Sequence, residues 1–198
     1  MTAVSISSAK SNLPFFMATC PFAVWDPVSG DLGNYNAGPY KIVHHTTEGP
    51  TYASARATYQ AGQTDPHFTI DATTIYQHID TTRVARALRN DAGGVETNRA
   101  SAVQIELVGY AGQAKNAQAL ANVARLCRWI EQTHGIPQAW PNGHPREPAG
   151  GQDPGGHNRS SESWTSQSGH YGHSQVPENT HWDPAYTAAE VLIVTPNG

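Results

Sequence analysis

The chain has 198 residues, enough for one domain with a continuous core and too few for two comfortable ones. Hydrophobic residues make up 38% and charged residues 14%, and the formal net charge is -4 with basic residues scattered, so no stripe exists to grip a polyphosphate backbone and no nucleic acid partner is expected. No stretch approaches the length of a membrane span, and the opening segment has neither a basic leader nor a long apolar run, which predicts no secretory signal.

Residues 1–38 are irregular in pattern, with Leu13, Phe15, Phe16, Phe22 and Trp25 interrupted by Pro14, Pro21 and Pro27. They read as an N-terminal extension that lays aromatic side chains on a main domain spanning residues 39–198. Tyr40-Lys41-Ile42-Val43 is a short apolar and β-branched run, predicting a buried strand that ends at His44 and His45. Tyr52, Ala55 and Tyr59 recur at helical spacing and predict a short amphipathic helix over 51–60. Residues 67–71 and 75–79 alternate around a short polar link, the pattern of a hairpin, although the link lacks the favoured glycine.

Residues 102–108 predict the next strand, with Gln104 and Glu106 on one face and Val103, Ile105 and Leu107 on the other. Leu120, Val123, Ala124, Cys127 and Ile130 recur at three and four, with Gly135 as a stop, so 116–134 is the clearest helix. Residues 137–172, rich in Gly, Pro, Ser and His, read as loop, and 184–194 as a terminal helix. This order of elements indicates a single-domain α/β fold around one mixed β-sheet flanked by helices. Cys20 and Cys127 form no CxxC pair, which excludes a cysteine-based zinc knuckle; a bridge and two buried thiols both stay open.

Ten histidines in so weakly charged a chain are the compositional oddity. His44 sits where a buried strand ends, a rigid place for a metal ligand. His173, and the His181-Trp182-Asp183-Pro184 run before the terminal helix, add imidazoles and a carboxylate. Two neutral imidazoles and one carboxylate leave a fourth zinc position open for water, the requirement for hydrolysis. The remaining histidines read as structural or solvated: His67 beneath the site, His78 and His134 without function, and His144, His157 and His170 in the long loop.

Four blocks, Ile42-Val43-His44-His45-Thr46, Pro66-His67-Phe68-Thr69-Ile70-Asp71, Gln104-Ile105-Glu106-Leu107-Val108-Gly109, and Gly172-His173-Ser174 through His181-Trp182-Asp183-Pro184, together resemble the type 2 N-acetylmuramoyl-L-alanine amidases. That family includes phage lysozyme-type amidases, amidases of cell-wall recycling and the animal peptidoglycan recognition proteins. The resemblance runs from about Tyr40 to the end and implies the peptidoglycan recognition protein-like amidase fold. It implies His44, His173 and Asp183 as zinc ligands and a groove-facing His45 as a substrate contact. It also implies Glu106 as the catalytic acid and base, and His181, where many relatives have lysine, as a donor to the oxyanion. Pro66 stands where phage and animal relatives often carry a catalytic tyrosine, which aligns the chain with the glutamate-using branch.

The implied reaction is zinc-dependent hydrolysis of the amide between N-acetylmuramic acid and L-alanine, with peptidoglycan or a muropeptide as substrate and a monomer as the working unit. A non-catalytic peptidoglycan-binding module is the alternative. Asn98 and Arg99 are candidates to grip the stem peptide or lactyl group, and Trp164 to stack on a sugar face. With no export signal expected, synthesis in the cytoplasm and delivery to the wall by lysis or another route would follow.

Overall fold

A computed structural model describes residues 18–62 and 64–198. In chain order it contains β1 (Val24–Trp25), β2 (Lys41–Thr46), α1 (Tyr52–Gln60), β3 (Phe68–Ile70), β4 (Ile75–Gln77), β5 (Ala102–Leu107), α2 (Ala117–His134), α3 (Ser161–Ser166), β6 (Gly169–Gly172), a 3-10 turn (His173–Gln175) and α4 (Ala188–Val194). The strands form one six-stranded sheet in the order β1-β4-β3-β5-β2-β6. Among the described strands only β3 and β4 pair antiparallel; β5, β2 and β6 run parallel at the centre and far edge. Their carboxyl ends therefore open on one rim, where sites in parallel sheets are built.

Each face of the sheet follows from strand alternation. Ile42, Phe68, Ile70, Val103, Ile105 and Leu107 meet Leu120, Val123, Leu126, Cys127 and Ile130 of α2, and Val191 and Val194 of α4, in the larger core. Val43, Ala102, Tyr171 and Trp164 form a smaller cluster with Leu88 and Val176. The helix α2 starts where the Asn116 carboxamide accepts from the amides of Gln118 and Ala119. It stops at Gly135, whose φ of +67° a side chain would resist. The mixed sheet, the hairpin and α2 match the sequence expectation.

Two elements depart from it. The expected loop 137–172 contains α3 and the edge strand β6. Gly-His-Tyr-Gly is too short and too glycine-rich to show an alternation, and only pairing with β2 makes it a strand. The terminal helix begins at Ala188, later than Pro184, because Thr187 and Glu190 form a capping box there.

Within 18–38 the chain contributes β1 to the sheet edge beside β4. Asp26 accepts two hydrogen bonds from Arg56 of α1, at 2.9 and 3.0 Å. Phe22 packs under the Arg125 guanidinium, but Trp25 is 48% exposed and lies on no core. Leu13, Phe15 and Phe16 fall outside the described residues. Cys20 and Cys127 are both buried free thiols.

Candidate metal centre and cleft

The register that pairs His45 with Glu106, and Val43 with Gln104, puts these side chains on one face of the sheet and His44 on the other. His45 is next to last in β2, Glu106 next to last in β5, and His173 follows β6 directly. All three therefore reach the same rim. Asp183 arrives from the segment before α4, and the Thr46 amide donates to its Oδ2 at 3.1 Å.

There the donors converge. His45 Nδ1 lies 3.0 Å from His173 Nδ1 and 3.7 Å from Asp183 Oδ2, and His173 Nδ1 lies 3.1 Å from Asp183 Oδ1. Tetrahedral zinc with bonds near 2.1 Å needs donor separations of about 3.4 Å, and these three edges bracket that value. All three residues are buried, yet they line the floor of a cleft of about 500 Å³. Two imidazole nitrogens facing each other at 3.0 Å repel unless a proton or a cation lies between them, so the donor set fits a metal ion.

Burial alone would raise the Asp183 carboxyl, but the charge on His173, its hydrogen bond and His45 together hold it down at about 2. Burial likewise lowers His173, and the Asp183 carboxylate more than reverses this, leaving it above its ordinary value. Burial, reinforced by His173, pushes His45 down to about 3, so its ring stays neutral and able to ligate.

His44 does not join this pocket, which corrects the expectation that it is a ligand beside His173 and Asp183. As the even member of the strand it faces α2. Its Nε2 meets His170 Nδ1 at 2.9 Å, His170 Nε2 meets Glu131 Oε1 at 3.0 Å, and the Tyr186 hydroxyl reaches His44 Nδ1 at 3.4 Å. His170, expected in a loop, is thus a fully buried member of β6. His44, Cys127 and His170 also bring three donor atoms within 4.8 Å of one another. That group could hold a metal by distance, but its ring nitrogens already have partners and burial pushes the Cys127 thiol up, against the thiolate a metal needs. It also lies away from the cleft.

Glu106 lines the cleft with its Oε1 4.0 Å from His45 Nδ1, and its buried Oε2 has no hydrogen-bond partner. Burial, with Asp183 and Glu48 nearby, pushes its carboxyl well above the ordinary range. A carboxyl shifted in this direction keeps its proton to higher pH than an exposed one. His181 also lines the cleft; its ring stacks on His173 at 4.7 Å and its side chain is 65% exposed.

Of the four expected substrate contacts, His45 is instead a member of the donor set, and the other three lie outside the cleft. Asn98 is buried, and its Oδ1 accepts from the amides of Ala87 and Leu88. Arg99 donates to the Asn34 carbonyl and is not among the cleft-lining residues. Trp164 is fully buried, its indole N–H on the Glu96 carbonyl and its ring under the Lys41 ammonium. The cleft walls come instead from Ala55, Thr58 and Tyr59 of α1 and from Arg86, Leu88 and Arg89. Nothing local in the sequence marks residues 86–89, because no strand or helix period runs through them. His67 is structural as expected, accepting from the Gln104 amide at 2.9 Å and meeting the Arg83 carbonyl at 2.8 Å.

Fold and site together define a mixed α/β domain with a two-histidine, one-carboxylate pocket at the carboxyl ends of parallel strands, beside a buried glutamate. The chain belongs to the N-acetylmuramoyl-L-alanine amidase family (Amidase_2), whose model matches residues 35–186. Among solved structures, the Staphylococcus aureus hydrolase AmiA is similar at a TM-score of 0.60 and 16% identity, covering 89% of this chain and 83% of that one. The N-acetylmuramoyl-L-alanine amidase LysC from Clostridium intestinale URNW is similar at 0.54 and 17%, covering 87% and 96%. An AmpD derivative is similar at 0.57 and 13%, covering 91% and 98%. At such identities the likeness is one of fold. No curated protein matches the chain significantly. Among the described residues no helix is long and apolar enough to cross a membrane.

Proposed function

We propose that this chain is a zinc-dependent hydrolase that cleaves the amide between N-acetylmuramic acid and L-alanine in peptidoglycan, with bacterial wall lysis as its outcome. The observation that supports this most is the convergence of His45, His173 and Asp183 on the floor of a cleft that Glu106 also lines. A zinc ion held by those three donors would supply Lewis acidity to the scissile carbonyl and make water easier to deprotonate.

The protein's own groups supply the rest. Glu106 accepts a proton from the attacking water and returns it to the departing amine of L-alanine, so water adds across the amide with no net proton change. His181, free on its outer side and stacked on His173, is placed to donate to the oxygen on which charge builds. Arg86, paired with Asp65 at 2.6 Å, and Arg89, paired with Asp91 at 2.8 Å, place guanidinium groups on one wall, where a stem-peptide carboxylate would find donors. Thr46, donating from the backbone, keeps Asp183 turned toward the pocket.

Retention of all three donors and of Glu106 argues against the non-catalytic binding module. The test is digestion of purified sacculi and of defined muropeptides by the zinc-loaded protein, with mass analysis of the products. Release of stem peptides with free L-alanine amino termini, abolished by chelator and restored by zinc, is expected. Tight binding to sacculi with no released amine would establish the binding module instead.

A further inference from the structure

Both imidazoles of the pocket must present Nδ1 as a lone pair, and that requires the proton of each neutral ring to sit on Nε2. For His173 the partner is plain: Nε2 lies 2.9 Å from Asn179 Oδ1. The orientation of Asn179 follows from its neighbours. Its Nδ2 donates to the carbonyls of Arg89 and Pro177, and its Oδ1 also accepts from the Arg89 amide. The oxygen side therefore faces His173, and His173 Nε2 must be the donor.

For His45 the partner emerges by the same accounting. Its Nε2 is buried with nothing in strict hydrogen-bond geometry, and so is Gln104 Oε1. The two residues share a face on adjacent strands, offset by two positions from direct pairing. Gln104 has no freedom to turn its amide around. Its Nε2 donates to Asn98 Oδ1 at 3.0 Å and to the Ala85 carbonyl at 3.3 Å. Asn98 Oδ1 is itself fixed as an acceptor by the Ala87 and Leu88 amides, while its Nδ2 donates to the Leu88 carbonyl. The only uncommitted atom of Gln104 is the oxygen, and the only uncommitted atom of His45 on that side is Nε2.

We propose that Gln104 and Asn179 are positioning residues that hold His45 and His173 in the Nε2–H tautomer, and that both arms end on residues 85–89, so that metal loading and order in this cleft wall are coupled. One arm runs His45, Gln104, Asn98 to the backbone of Ala87 and Leu88; the other runs His173, Asn179 to the backbone of Arg89. Neutral carboxamides accept the ring protons without adding charge to a site that already holds Glu106 and Asp183. The same two amides carry the segment that bears Arg86 and Arg89. The inference rests on reading the pocket as a metal site.

The test uses the full chain labelled with nitrogen-15 histidine, together with Gln104→Met, which keeps the side-chain length and removes the acceptor, and Asn179→Leu. In the metal-free wild type the His45 ring is expected as the Nε2–H tautomer. Gln104→Met is expected to lose that bias and to bind zinc 10–100-fold more weakly in chelator competition. Zinc is expected to slow hydrogen exchange at the Leu88 and Arg89 amides of the wild type. If Gln104→Met is too unstable to assay, the wild-type tautomer and the exchange change decide alone. An Nδ1–H tautomer at His45, equal zinc affinity in the wild type and Gln104→Met, or wall amides indifferent to zinc overturns the proposal. A wild type that takes up no zinc overturns the metal reading itself.

Discussion

Replacing His45 and His44 separately with alanine tests which face of β2 carries the metal. His45 supplies one of three inward donors, its Nδ1 at 3.0 Å from that of His173. Four-ligand structural zinc sites bind with roughly 10–16 kcal/mol, about 3 kcal/mol per ligand. His45→Ala is therefore expected to weaken zinc binding roughly a hundredfold or more. His45→Ala gives up the proposed Gln104 pairing but opens its space onto the cleft, so it should cost the metal-free fold only about 1–3 kcal/mol.

His44 predicts the reverse. Its removal strips His170 Nδ1 and the Tyr186 hydroxyl of a buried partner, each worth about 1–3 kcal/mol, and empties a ring-sized space 5.2 Å from the Trp140 ring centre. His44→Ala should lose roughly 3–5 kcal/mol of stability while keeping zinc affinity within a few-fold. Zinc titration against a chromophoric chelator reads the first effect, and urea denaturation in excess chelator reads the second. Zinc uptake lost in a folded His44→Ala and retained in His45→Ala would refute the assignment of the two faces.

Glu106→Gln should bind zinc nearly as well as the wild type and lose about 10²–10⁴ in turnover on muropeptides; turnover within threefold of the wild type would remove Glu106 as the proton carrier. His181→Ala should lose roughly a hundredfold in turnover, the usual cost of an oxyanion donor, and His181→Lys should restore much of it; equal rates in wild type and alanine variant would exclude that role. Stability of the metal-free protein should fall as pH drops from 6.5 toward 4. Burial holds His67 at about 4, so below its ordinary value of 6.5 the unfolded chain binds a proton that the folded one refuses. That stability is present above 6.5 and is lost as pH falls through the window, by about 3 kcal/mol for His67 alone. His45 and His134, also lowered by burial, act in the same sense, whereas His173, raised by Asp183, opposes them. Urea midpoints independent of pH between 7 and 4 would contradict this account.

Patterned side chains explain what could be read before any fold was known. The faces of β5 follow from alternation alone, which put Glu106 opposite Ile105 and Leu107 and into the cleft. The 3–4 spacing of α2 and its terminal glycine gave its bounds within a residue. Four spaced blocks were enough for the family and for His173 and Asp183 as members of the pocket.

Side-by-side histidines defeat that reading. Nothing in Ile42-Val43-His44-His45 says which imidazole faces the rim, because either parity buries one apolar neighbour on each face. Only the pairing of His45 with Glu106 decides it. Trp164, Asn98 and Arg99 look like ligand-gripping residues in isolation, and whether an indole stacks on a sugar or fills a core depends on what folds over it. Local sequence thus determined the periodic elements, the family and most of the donor types. The face each donor occupies, the strand β6 and the wall at 85–89 arise from contacts between segments far apart in the chain, which no local period encodes.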